Sequence, residues 1–365
     1  MRTDFSISKR IAFLAVAVAC VPAVVWAADT YTVVELGALF QGGSTIGRHM
    51  DSVGGQVVGS SGWTHGSDMR AFIWNASAGM RSLGTLQGGD YSEAFGVNDA
   101  GSVVGDSNTQ ETMRAFVWNA KDGMRELSPL PGDSASRAFA INNSGEIVGY
   151  SSGKHGVRAV IWSAKLEVRS LGTLPGGNYS EAYAINDAGQ VVGMSTSSSG
   201  RRAFLWTKRD GMVDLGILLG SESCKAVRIN IAGQVIGSCS LGSGSRPFLW
   251  SKETGMQSLG SLDGKEYAEA LGVNDSGQVV GASDTALGAR AFLWTKAGGM
   301  QDLNSLLPPT HDVLLAQALH INNRGQILAV GSIHHDLTHD REAHLDNESH
   351  AGPLHLFLLS PVKLP

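Results

Sequence analysis

Six tryptophans stand at positions 74, 118, 162, 206, 250 and 294, each 44 residues after the one before. A spacing held that strictly means the chain repeats one supersecondary unit and stacks each copy on the next. The surroundings repeat as well: Arg70-Ala-Phe-Ile-Trp74, Arg114-Ala-Phe-Val-Trp118, Arg158-Ala-Val-Ile-Trp162, Arg202-Ala-Phe-Leu-Trp206, Arg246-Pro-Phe-Leu-Trp250 and Arg290-Ala-Phe-Leu-Trp294. A second motif, Gly-Gln-Val-Val-Gly or a close variant, begins at Gly55, Gly101, Gly145, Gly189, Gly233, Gly277 and Gly325, at spacings of 46, 44, 44, 44, 44 and 48. Seven copies therefore span residues 42–360, the last one degenerate.

Each unit reads as four short strands. The first, typified by Glu93-Ala-Phe-Gly-Val97, ends in the turn Asn98-Asp-Ala-Gly101. An Asn side chain caps such a turn and Gly accepts its positive φ, so this is a hairpin loop. The Val-Val-Gly strand follows, then a polar loop, the Arg-Ala-Phe-x-Trp strand, and a Gly-Met turn into the fourth strand, such as Met80-Arg-Ser-Leu-Gly-Thr-Leu86. Units of 40–50 residues with four strands, present seven times, predict an all-β fold, a seven-bladed β-propeller. Unit seven has its third strand at Leu354–Leu359 and no fourth. Residues 31–39 resemble the fourth strand of other units and are expected to close the ring beside it. Closure removes the sheet edges that a linear solenoid would have to cap.

Glycine, at 47 of 365 residues, suits so many tight turns, and 42% hydrophobic residues suffice for a core, which excludes disorder. A net charge of −5 without a Lys/Arg cluster speaks against nucleic-acid binding. Arg2, Lys9 and Arg10 precede an apolar stretch from Ile11 to Val25, and Val25-Trp26-Ala27 places small residues where a signal peptidase needs them. Residues 1–27 are therefore expected to be a signal peptide, and 28–365 a single propeller domain that is exported, periplasmic or extracellular, monomeric and without a membrane span. Removing the peptide takes away three positive charges and one negative, leaving −7.

The x-Ala-Phe-x-Trp strand, the Asn-x-x-Gly turn and Gly-x-Val-Val-Gly together resemble the HAF family of bacterial extracellular repeat proteins, over about residues 31–360. Arg stands in six units where the family name has His; His355-Leu356-Phe357 comes nearest to it. The resemblance implies an exported, propeller-like protein and brings no catalytic residues.

Recurrent groups have two readings. The Phe and Trp of the third strand share a face with the preceding Arg, either as a ring of sugar-stacking sites or as blade-to-blade packing. Identical placement in six blades favours packing. The Asn-Asp turn resembles half a calcium loop but lacks the alternating carboxylates that Ca²⁺ needs. The start of the first strand varies more. Tyr91 with Glu93, Tyr179 with Glu181 and Tyr267 with Glu269 alternate with Arg137 and Lys225, followed by Gln317. This predicts a ring of ion pairs around the channel, or a polar channel mouth on which a hydroxyl-rich ligand stacks against the tyrosines. Unit one adds Trp63 on the same face.

The loop of unit seven, about 332–353, is rich in His and acid. His334, His335, His339, His344, Asp336 and Asp340 are candidate ligands for a divalent metal in the 334–350 segment, although their spacing fits no closed structural site. Cys224 and Cys239 remain once Cys20 leaves with the signal peptide. They lie opposite within one residue on the first hairpin of unit five, which predicts a disulfide if the strand bulges. No nucleophile elbow, oxyanion motif or isolated carboxylate pair is present. The function expected is that of a binding or scaffold protein recognising a glycan, a cell-envelope component or another protein on the channel face. The alternative is a polysaccharide hydrolase or lyase, assisted by the loop metal.

Overall fold

The computed structural model of the chain describes residues 31–53, 55–63, 68–308, 312–333 and 354–362. These form seven four-stranded antiparallel sheets with a single short 3₁₀ turn, Leu303–Leu306, among the described residues. Six sheets are consecutive in sequence. Blade one comprises Ser44–Met50, Val57–Gly62, Arg70–Asn75 and Gly79–Gly84; blade two comprises Ser92–Val97, Val103–Asn108, Met113–Asn119 and Gly123–Leu127. Blades three to six begin at Asp133, Ser180, Ser223 and Ala268. In blade seven, Val313–Ile321, Ile327–Ile333 and His355–Pro361 are completed by Tyr31–Glu35, which pairs antiparallel with the last of them from Tyr31 opposite Pro361 to Glu35 opposite Phe357. The fold is a seven-bladed β-propeller. The first hairpin turns lie on one face, called lower here; the loops into the third strands and the blade-to-blade connections lie on the upper face.

Packing between blades explains the repeated aromatics. Phe72, Phe116, Phe204, Phe248 and Phe292 are wholly buried, and Trp162 with them. Complete burial of one such ring stabilises the fold by about 1.5–3 kcal/mol. Two strand-four arginines cover the tryptophan of the next blade: Arg81 lies 5.0 Å from the Trp118 ring centroid and Arg169 4.9 Å from that of Trp206. With the phenylalanines enclosed, this face holds packing residues and no ring of sugar sites.

Every inner strand carries a β-bulge at the same place. The register shifts across Arg48, Phe95, Phe139, Val227 and Leu271, and likewise across Tyr183 and Leu319. The bulge turns one extra side chain toward the channel and pushes the carbonyl two residues earlier against the second strand. A Cβ on Gly105 would come 1.9 Å from the Glu93 carbonyl oxygen and 2.8 Å from the Phe116 ring. In six blades the last Gly of the Gly-x-Val-Val-Gly motif gives that carbonyl its room, while blade seven carries Ala329 at the same place.

Buried serines clip successive blades. Ser92 Oγ accepts from Ala71 N at 2.9 Å and donates to the Gly84 carbonyl at 2.6 Å, and its cross-strand partner Ser107 accepts from Leu86 N. In blade five the equivalent pair is Cys224–Cys239, which forms a disulfide with the two Cα atoms 4.1 Å apart. The bulge at Val227 absorbs the one-residue offset counted from the turn.

Candidate functional site

The lower face is closed by repetition. Asn98 Nδ2 donates to the Asn142 carbonyl at 3.1 Å, and the same bond runs from Asn142 to 186, 186 to 230, 230 to 274 and 274 to 322. The Oδ1 of these residues accepts a turn amide, as from Ser102 N to Asn98. The turn side chains that resembled half a calcium loop are therefore consumed in joining blades. Among the described residues no group of three His, Cys, Asp or Glu is placed to hold a metal ion.

On the upper side the channel mouth is ringed by Ile46, Glu93, Arg137, Glu181, Lys225, Glu269 and Gln317, one from each inner strand at the step before the bulge pair. The expected alternation is present in sequence, but the ion pairs form differently. Glu93, only 6% exposed, is held by Arg48 of the preceding blade at 2.6 Å and by the Tyr91 hydroxyl at 2.8 Å. Arg137 reaches back to Asp106 of blade two at 2.5 Å instead of to a ring glutamate. Glu181 accepts from both Tyr179 and Tyr183. Among the described residues only Lys225 and Glu269, 3.5 Å apart, join as neighbouring members of the ring. The physical reason is the bulge: it places Arg48 at the channel and leaves the glutamates nearer the tyrosines of their own strands.

Burial and then the Glu93 charge push the Tyr91 hydroxyl well above its usual range, so it remains a donor; burial and then Glu181 do the same for Tyr179 and Tyr183. Tyr91 and Tyr179 are thus committed to their glutamates, and Tyr267, 40% exposed, is the freest of the three tyrosine faces. Asp106 is fully buried, and that burial raises its carboxyl to about 6 despite the opposing Arg137. Below this ring the bulged residues form a waist that is aromatic on one side. Phe95 and Phe139 lie 5.5 Å apart and Phe139 and Tyr183 5.4 Å apart, with Arg137 5.2 Å from the Phe95 centroid.

The ring's symmetry breaks where blade seven meets blade one. There a cleft of about 680 Å³ opens on the upper face, lined among others by Ile46, Arg48, Gln317, Leu319, Leu354 and His355. Ile46 is 40% and Leu354 60% exposed, and the His355 ring bonds Glu35 at 2.7 Å on its rim. Trp63 stands beside it, stacked on Phe40 with centroids 6.4 Å apart and 49% exposed. A cleft of this size with an apolar floor and a few convergent polar groups is the usual form of a small-ligand site. Of the residues singled out from sequence, Trp63 flanks this cleft; Tyr91, Glu93, Arg137, Tyr179, Glu181, Lys225, Tyr267 and Glu269 stand around the channel mouth beyond it. Ile46, Arg48 and Leu354 were missed. Their signal was the departure from the 44-residue period, 46 after blade one and 48 into blade seven. The metal candidates His334, His335, His339, His344, Asp336 and Asp340 lie outside the described residues, as does the expected signal peptide, residues 1–27. Among the described residues no helix is long and apolar enough to cross a membrane.

No protein-family model matches the sequence, and no curated protein matches it. Solved structures do resemble the fold. An oligogalacturonate lyase in complex with manganese superposes with a TM-score of 0.56 at 10% identity, over 92% of this chain and 95% of that one. A streptogramin B lyase gives 0.52 at 11% identity, over 91% and 98%. Virginiamycin B lyase from Staphylococcus aureus with quinupristin gives 0.54 at 10% identity, over 91% and 100%. At such identities the likeness is one of fold, and this chain is similar to them as a propeller.

Proposed function

We propose that the protein is an exported binding propeller of the HAF type, recognising a glycan or other envelope component on its upper face. The observation that carries this reading is the 680 Å³ cleft at the seam, beside the stacked Trp63 and Phe40. Its apolar floor of Ile46, Leu319 and Leu354 suits the hydrophobic face of a sugar ring. Arg48, Gln317 and His355 supply donors for hydroxyls. Export is supported by the basic-then-apolar start of the sequence and by the Cys224–Cys239 disulfide, a bond that persists in oxidising compartments.

The second reading is a lyase or hydrolase, favoured by the names of the propellers it resembles and by Asp106, whose carboxyl near 6 falls where an acid–base catalyst operates. Asp106 has no exposed surface and lies behind Arg137, which argues that it is structural. A divalent metal at residues 334–350 would belong to this second reading, and calorimetric titration with Zn²⁺ against a variant lacking that segment tests it.

The decisive experiment is a glycan array probed with mature protein and with Ile46→Asp, paired with a reducing-sugar release assay. Saturable binding that weakens at least tenfold in the variant supports the proposal. Binding by both proteins alike would place the site elsewhere, and release of sugar would turn the assignment to catalysis.

A further inference from the structure

Just below the waist, the residue that follows each bulge packs between neighbouring inner strands. In four blades it is small: Gly96, Ala140, Ala184 and Gly272. The fit is tight, for a Cβ on Gly96 would lie 3.0 Å from the Phe139 carbonyl oxygen and one on Gly272 2.9 Å from the Cα of His320. In the other three blades the same place holds His49, Arg228 and His320. With no room between strands, these long side chains fill the channel that the small residues leave.

They meet there without a counter-charge. The His49 and His320 rings lie 4.2 Å apart across the seam. Burial holds both imidazoles below their usual range, helped at His49 by His320 and then Arg228, and at His320 by Arg228. Arg228 donates Nη1 to its neighbour Val227's carbonyl at 2.9 Å, while its Nε, His49 Nδ1 and His320 Nδ1 are buried without a partner. Among the described residues no carboxylate forms an ion pair with Arg228. Arg48, the next charge above, is also positive and lowers Arg228 further, after burial, to about 10. The carboxylates on the lower side are engaged by turn amides: Asp51 by Gln56, Asp99 by Ser52, Asp187 by Asn143 and Asp275 by Ile231. A guanidinium whose Nε is buried with no hydrogen-bond partner and no anion beside it is unfavourable. A cavity of about 170 Å³, open at the lower mouth and lined by His49 and His320, leaves room for a few heavy atoms.

We propose that this level of the channel is an anion site, in which Arg228, with His49 and His320, holds a small oxyanion of the phosphate or carboxylate type. The site is separate from the seam cleft and stands or falls independently of it. An anion there compensates the guanidinium and draws protons onto the imidazoles, so binding tightens as pH falls. An entering anion must pass Asp99, Asp187 and Asp275, which line the lower part of the same cavity.

The test is calorimetry and thermal unfolding of the mature protein with inorganic phosphate, sulfate and acetate, against Arg228→Gln and His320→Gln. Wild type is expected to bind one equivalent of at least one of these anions, more tightly at pH 6 than at pH 8. Arg228→Gln should bind at least tenfold more weakly and melt higher than wild type in anion-free buffer, the gap narrowing as anion is added. The three anions separate a phosphate-type from a carboxylate-type ligand. If Arg228→Gln does not fold, weaker binding and a flattened pH profile in His320→Gln carry the same decision. Equal binding in wild type and variants, or no saturable binding to any of the three, would overturn the proposal.

Discussion

The lower rim and the upper seam are built from the same repeat and treat it in opposite ways. On the lower rim, five asparagines make one bond each to the next blade, with the same atoms in the same roles. At the seam the corresponding inner-strand residues are Ile46 and Arg48 where blade two has Glu93 and Phe95, and the last sheet borrows Tyr31–Glu35 from the other end of the chain. Groups repeated in every blade have their hydrogen bonds met by neighbours and have little left for a ligand. Groups that depart from the repeat leave surface and charge unspent. Function is to be sought where the repeat fails.

That contrast can be broken or sharpened by substitution. The largest effect is expected from the repeated core: Phe116→Ala, at a fully buried ring, should cost about 4 kcal/mol in denaturant unfolding and leave ligand affinity unchanged. A concurrent loss of affinity in the folded variant would show that the two regions are not separable. Next comes the disulfide. The double variant Cys224→Ser with Cys239→Ser should lose about 3 kcal/mol from loop closure, and less than the double alanine variant, because serines at these places supply the clips used in other blades. Unfolded, unreduced mature protein, without Cys20, should show no free thiol; two free thiols would contradict the structure.

Acidity offers a third, smaller test. Folded Asp106 keeps its proton to about pH 6, whereas the unfolded chain releases it near pH 4. Between those values the folded state holds more protons, so this group's contribution is full below pH 4 and is lost as pH rises through 6, on the order of 3 kcal/mol. Asp106→Asn should remove that fall from a plot of stability against pH, and an unchanged slope would refute the shift. His320 works in the opposite sense. Its folded value, held down to about 3, makes stability fall as pH drops below 6.5, and His320→Gln should lessen that loss. The smallest effect belongs to the exposed ring pair: Lys225→Ala should change stability by no more than about 0.5 kcal/mol.

Much of the fold was legible because a tryptophan every 44 residues is a statement about period, and period determines the number of sheets. The Cys224–Cys239 pairing was legible to within one residue, the remainder being the bulge at Val227, which no spacing rule reveals. The same bulge explains why the charges stand one to an inner strand but pair differently from the expected ring. Alternating Glu93, Arg137 and Glu181 suggests neighbours in contact, yet Arg48 and Asp106, one from the bulge and one from the second strand, take those partners. The seam cleft was illegible for another reason. Its lining comes from residues 35–48, 317–330 and 354–356, which meet only after the ring closes.

Closure also orders events in time. Pairing Tyr31 with Pro361 joins segments at opposite ends of the chain, so this sheet cannot form until the last strand is available. The entropy of closing so long a loop grows only logarithmically with its length, yet contacts this distant in sequence form slowly. The seam is thus the last sheet to assemble and the natural place for the ring to reopen. A ligand seated between blades seven and one would bind only the closed ring, adding RT ln(1 + [L]/Kd) to the free energy of opening. Occupancy of the cleft and integrity of the ring are then two readings of one equilibrium. A protease that cuts only at the opened seam would report the ligand's concentration.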